Sequence, residues 1–188
     1  LIFMGEEYGE TAPFFYFVDH ADPHLQATIR DGRQAEYKNF GWLETGPDPN
    51  TIDVFERSRV HPGVQTNSKQ QAILRWYRRL ISLRNQVPAL GTSKGGMLSL
   101  WTFPERVLIM HRWASDGPQA IVVLGFNPAP TEINICAPKG TWTRALDASS
   151  EKNGVTGQAN MPKELTIDAK GQSIPIPSFT ATVYLTSC

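Results

Sequence analysis

Near Gly91 the spacing of apolar residues changes from three or four to two, so the chain cannot be built from one kind of element. Upstream, Asp22 followed by Pro23 is a helix start, with an acceptor side chain at the cap and proline at the first helical position. Leu25, Ile29, Tyr37 and Phe40 then share one face, and Gly41 is the predicted stop. A turn-rich stretch over 45–50 leads to a short helix over 52–58. Ser68 and Gln71 have capping-box spacing, and Ile73, Leu74, Tyr77, Leu80 and Ile81 form a stripe opposite Arg75, Arg78 and Arg79. That stripe marks a helix that ends at Val87 and Pro88.

Downstream of Gly91, strands are predicted over 98–103, 106–113, 120–127, 131–136, 141–146 and 179–186, separated by Pro104, Gly117, Pro128, Pro138 and Gly140. Ile133 and Ile135 alternate with Glu132 and Asn134, the mark of a half-buried strand. The fold class expected is mixed α and β, in two domains: residues 1–90, then an antiparallel, Greek-key-like β-sandwich over 91–188. No internal repeat is visible, and 152–160 reads as a surface loop.

Composition narrows the partners. The 188 residues carry 18 Lys plus Arg against 18 Asp plus Glu. A reader of nucleic acid or a polybasic membrane binder shows an excess of one sign, so neither partner is expected and a neutral ligand fits better. Cys136 and Cys188 are too few and too far apart for a disulfide framework, which points to a reducing, cytoplasmic compartment. The opening run Leu1-Ile2-Phe3-Met4 lacks signal-peptide features and is too short to span a membrane. It reads as a buried parallel strand that starts abruptly, as expected of a chain cut from something longer.

Candidate chemistry lies just after that strand. Glu6 and Glu7 leave it at the end where barrels meet ligands, and at most one of two adjacent side chains faces a site; the alternative is that Glu7 braces its loop. The run Phe14, Phe15, Tyr16 and Phe17 walls a pocket or packs in the core, and core packing is the expectation. Asp19 and His20 bind a substrate hydroxyl or cap the next helix. His20 and His24 have a metal-site spacing without a third ligand, so no metal is expected. No phosphate loop or nucleophile elbow is present, and no cofactor is expected. Trp101, Trp113 and Trp142 form either a sugar-binding face or part of the sandwich core, with core again expected.

The run Leu1-Ile2-Phe3-Met4-Gly5-Glu6-Glu7-Tyr8-Gly9, then Ala12-Pro13-Phe14-Phe15-Tyr16-Phe17 and Asp19-His20, resembles the end of the catalytic barrel in the α-amylase family of glycoside hydrolases. Glu36-Tyr37, Phe40, Trp42, Pro47-Asp48-Pro49 through Thr51 to Arg57-Ser58, and the helix from Trp76 to Arg84 extend the likeness to about Leu90. The resemblance implies that 1–90 is the last strand, loop and helices of a TIM (β/α)8 barrel, followed by the sandwich. The aromatic loop ending in Asp19-His20 points, within the family, to retaining enzymes that cleave the α-1,4 bond next to the trehalose end of maltooligosyltrehalose. Such chemistry needs two carboxyl groups about 5 Å apart. In this family they come from earlier barrel strands, so the chain alone is expected to hold no catalytic residue and to need the N-terminal barrel as its partner. Glu7, Tyr8, Phe14, Phe15, Asp19 and His20 are the implied substrate-binding residues of the complete enzyme, which acts on maltooligosyltrehalose or another α-glucan. A glucan-branching relative, or a sandwich that serves as a carbohydrate-binding module, are the alternatives.

Overall fold

A computed structural model describes residues 1–41, 46–63, 68–91, 96–135, 137–148 and 161–186. Trp42, Cys136, Cys188 and the predicted loop over 152–160 lie outside the described residues. The chain divides into two compact units, Leu1–Gln71 and Ala72–Cys188. No helix among the described residues is long and apolar enough to cross a membrane.

In the first unit, helix α1 spans Pro23–Asn39 and starts as its sequence dictates, with Asp22 Oδ1 accepting the His24 N–H at 2.9 Å. Helix α2 spans Ile52–Arg57. Two expectations fail here, the opening strand and the burial of the aromatic run. Residues 1–4 form no strand: Met4 has φ 48° and Gly5 φ 77°, and the chain bends into a 3-10 helix over Glu6–Tyr8. A strand must satisfy its peptide groups on a neighbour, and no described residue of this unit belongs to a strand. The apolar stripe of α1 is not buried, since Leu25 and Phe40 are exposed and no residue of the helix is fully covered. The aromatic run is not core either; Phe14 is 74% exposed, and Tyr16 and Phe17 are exposed with it. Periodicity shows that a face is apolar, but burial depends on what packs against it.

The second unit is built on antiparallel strands: β1 Met97–Phe103, β2 Val107–Trp113, β3 Ala120–Gly125, β4 Thr131–Ile135, β5 Gly140–Asp147, β6 Glu164–Ile167, β7 Gln172–Ile176 and β8 Thr180–Thr186. Six form one sheet in the order β1-β2-β3-β8-β5-β6, and β4 pairs with β7 in a small second sheet. Ile133, Ile135, Ile174 and Ile176 of the small sheet pack on Val107, Ile109, Ile121, Val123, Trp142 and Tyr184 of the large one. The result is an unequal sandwich with a mostly β-branched core. Strands β6 and β7 were not predicted. They are short, and β7 contains Pro175, which is tolerated because that strand has a free edge.

Helix α3, Ser68–Gln86, begins in the first unit and runs into the second. Trp76 and Leu83 pack on Val122, Leu146 and Val183 of the large sheet, and Ala72 is buried. Of the predicted stripe, Ile73, Leu74 and Tyr77 are half-buried and Leu80 and Ile81 are exposed. The apolar surface of the helix is one broad arc, and the part bearing Trp76 and Leu83 packs on the sheet. A 3-10 turn, Pro88–Leu90, follows and is held by the Arg112 guanidinium, which donates to Gly91 O at 3.1 Å.

Candidate functional site

Two segments of the first unit enclose a cleft of about 420 Å³, lined by Phe17, Val18 and Asp19 on one side and Asn50, Thr51, Ile52 and Phe55 on the other. The Val18 N–H donates to Pro49 O at 2.9 Å and ties the two sides together. The Asp-Pro-Asn-Thr turn builds the second side. Asp48 Oδ1 accepts from the Asn50 backbone at 3.0 Å and from Asn50 Nδ2 at 2.9 Å, while Thr51 Oγ1 donates to Asp48 O at 2.9 Å. The Asn50 backbone N–H, then its side-chain amide, hold the Asp48 carboxyl below its ordinary range, with Arg30 adding a smaller pull. Asn50 Nδ2 also donates to Gln26 O at 3.1 Å, and since both its partners are acceptors the amide orientation is settled. Phe17 and Phe55 meet edge to face, 5.1 Å between centroids, and form an apolar corner.

Of the six candidate residues, the structure places one, Asp19, at this cleft. Tyr8 is buried and donates through its hydroxyl to Glu10 Oε2 at 3.2 Å; burial first, then that carboxylate, push its phenol above the ordinary value. Glu7 carries a buried carboxylate oxygen with no hydrogen-bond partner. Phe14 stands edge to face with Phe3 at 5.1 Å, and Phe15 lies under the Arg57 guanidinium at 4.9 Å. His20 is exposed, and its carbonyl accepts from Gln26 Nε2 at the start of α1. Of these six, Tyr8 is the buried one. Gly5 shows why: a Cβ there would lie 2.5 Å from the Tyr8 hydroxyl, and its φ of 77° is one that other residues rarely adopt.

The residue that the sequence did not flag is Glu10. Its carboxylate accepts from the backbone N–H groups of Thr11 at 2.8 Å, Ala12 at 3.0 Å and His61 at 2.6 Å, and it lies 3.6 Å from His61 Nδ1. Thr11 and Ala12 are local partners that a Gly-Glu-Thr-Ala turn suggests; His61 is not, because it is far along the chain. The His61 amide, followed by that of Ala12, draws the Glu10 carboxyl down from about 4.5 to about 2 against the opposing effect of burial. A carboxyl depressed on folding stabilises the fold fully above its unfolded value, and that stabilisation is lost as the pH falls from about 4.5 to about 2. Glu10→Gln is therefore expected to cost about 2 kcal/mol at neutral pH. Urea unfolding at stepped pH should show the gap to the parent chain closing across that acid window, and a constant gap would count against the role.

The tryptophans of the second unit form no exposed coplanar pair. Trp142 is fully buried, and Trp101 and Trp113 are half-buried. Between them the buried His111 ring stacks on Trp113 at 4.5 Å, lies 6.5 Å from Trp101, and meets the edge of Trp142 at 5.9 Å. The rings pack on each other, as the core reading expected.

No family model matches the chain. Malto-oligosyltrehalose trehalohydrolase of Rhizobium sp. (strain M-11) is 36% identical over 163 residues, which cover 86% of this chain and 26% of that protein. The proteins of that name from Saccharolobus solfataricus and Deinococcus radiodurans are 38% identical over 86 residues and 34% over 92, covering 46% and 48% of this chain and 13% and 15% of theirs. The chain thus spans about a quarter or less of the length of these relatives. Among solved structures, a putative alpha amylase from Salmonella typhimurium aligns with a TM-score of 0.65 at 23% identity, over 98% of this chain and 27% of its own. AmyP in complex with maltose aligns with a TM-score of 0.51 at 21% identity, over 69% and 24%. At that identity the structural likeness concerns the fold alone.

Proposed function

From its homology to one segment of the malto-oligosyltrehalose trehalohydrolases, we propose that this chain is the C-terminal part of a retaining glycoside hydrolase of the α-amylase family. The parent enzyme hydrolyses the α-1,4-glucosidic bond next to the trehalose end of maltooligosyltrehalose and releases trehalose. The observation that carries this reading is the 36% identity held over 86% of the chain to a relative of that name. A formal charge of zero suits a neutral glucan substrate.

In this reading residues 1–90 are barrel elements, 91–188 form the C-terminal sandwich, and α3 is the joint. Part of the apolar arc of α3 holds the sheet through Trp76 and Leu83, and the exposed Leu80 and Ile81 are left for the rest of the barrel. The exposed Phe3, Phe14, Phe40 and Ile52 support the same view, since side chains of this size are patterned for a partner surface. Two carboxyl groups must flank the scissile bond about 5 Å apart, and they belong to the remainder of the enzyme. Incubated with maltooligosyltrehalose, the complete protein is expected to release trehalose and the 188-residue chain to release none. Trehalose from the chain alone, or branched glucan as the product of the complete protein, would overturn the assignment.

A further inference from the structure

A sheet edge presents a row of peptide N–H and C=O groups without partners, and proteins blunt such edges with charge, proline or shortness. Among the described residues four strands have a free edge: β1 and β6 at the two ends of the large sheet, and β4 and β7 in the small one. Three of them are blunted. β6 is four residues long and opens on Glu164, β7 carries Pro175, and β4 carries the exposed Glu132. β1 has none of these devices. Its seven residues, Met97 to Phe103, include no charge, no proline and no glycine, and it is the longest of the four. It pairs with β2 along its whole length, from Met97 with Trp113 to Phe103 with Val107, so no bulge turns the edge away. Trp101 and Phe103 lean on the sandwich core, while Leu98 and Leu100, on the opposite face, are more than half exposed, as is Met97. A long, regular, apolar edge of this kind is a template for another strand.

We propose that β1 pairs antiparallel with β1 of a second copy of this chain, about a two-fold axis through Leu100, joining the two large sheets into one. In that register Leu100 faces the partner's Leu100, Leu98 the partner's Thr102, Ser99 the partner's Trp101 and Met97 the partner's Phe103. All seven positions of each strand are then paired, whichever alternate set of peptide groups points outward. No charge enters the contact, and Met97 brings its thioether to an aromatic ring. A second copy suits this edge better than an unrelated strand. β1 has no charge with which to select a foreign sequence, whereas its own two-fold pairing matches full length with full length. Such pairing also closes at two copies, because it consumes the unblunted edge of each. It does not depend on the reaction assigned above.

Sedimentation equilibrium of the 188-residue chain is expected to show monomer and dimer exchanging with a Kd of about 10–100 μM, the weak range that suits two short strands burying under about 1,200 Å². Leu100→Lys and Leu100→Glu each set like charges against each other on the axis and should raise that Kd at least about tenfold. Leu100 is exposed, so neither change threatens the core. An equimolar mixture of the two variants should recover the parent affinity, because opposite charges then face each other across the axis. A chain that stays monomeric at about 500 μM, well above the expected Kd, would overturn the proposal. So would a dimer indifferent to both variants, a mixture no tighter than either variant alone, or growth past two copies. In the complete protein, protection of every β1 amide from hydrogen exchange while the protein is monomeric would mean that another part of it covers the edge, and would overturn the pairing as well.

Discussion

Trp142→Ala is expected to cost the second unit about 3–5 kcal/mol, the range for truncating a large buried aromatic. Trp142 heads the fully buried side chains by size and sits in the core shared by the two sheets, edge-on to His111. Its indole N–H donates to Pro138 O at 3.2 Å, so truncation removes packing and a hydrogen bond at once. The melting temperature should fall by about 10–20 °C. Trp142→Phe keeps most of the volume and should lose only a minor part of that. Calorimetry of the three chains would decide the matter, and a loss under about 1 kcal/mol for the Ala variant would mean that the ring is not a core element.

The second large effect is expected at Asp147, whose carboxylate pairs with Arg144 at 2.7 Å. Three positions apart on a regular strand, the two side chains would point to opposite faces. A bulge in β5 changes this: Arg144 pairs with Tyr184 but Asp147 with Thr182, and those two partners are on one face of β8. The extra residue brings the ion pair together inside the sandwich, where Arg144 also donates to Met161 O and Tyr184 to Pro162 O. Burial pushes the Tyr184 phenol above its ordinary value, in keeping with a site from which water is excluded. Asp147→Ala leaves a guanidinium only 17% exposed and is expected to cost about 3 kcal/mol. The double change Arg144→Met with Asp147→Leu should recover most of this, because removing both charges removes the desolvation that the pair must offset. Urea unfolding of the single and double variants measures it; a double variant worse than the sum of the singles would refute the account.

Residue by residue, local signals survived folding well. The Asp22-Pro23 cap starts α1, and six of the eight strands among the described residues lie where alternation put them, within a residue or two. The two missed strands are short, and one carries a proline inside it. The site was less legible. Asp19 reached the cleft, but Tyr8, Phe14 and Phe15 were drawn to Glu10, Phe3 and Arg57. Each of those contacts, or the bend that permits it, depends on a neighbour that no local pattern announces. The Asp48 turn was readable as a turn, whereas its position against Phe17–Asp19 was not.

Caps, turn residues and hydrophobic period decided where helices and strands begin and end, because those preferences are energies of a few neighbouring residues. They also carried the likeness to a glucan-processing family, since motif residues are contiguous in the chain. Which part of the apolar arc of α3 is buried, which carboxylate ties Ala12 to His61, and which two loops enclose a cleft were decided only in three dimensions. Burial and long-range hydrogen bonding are properties of pairs brought together from distant parts of the chain. A sequence offers each partner, and packing makes the choice.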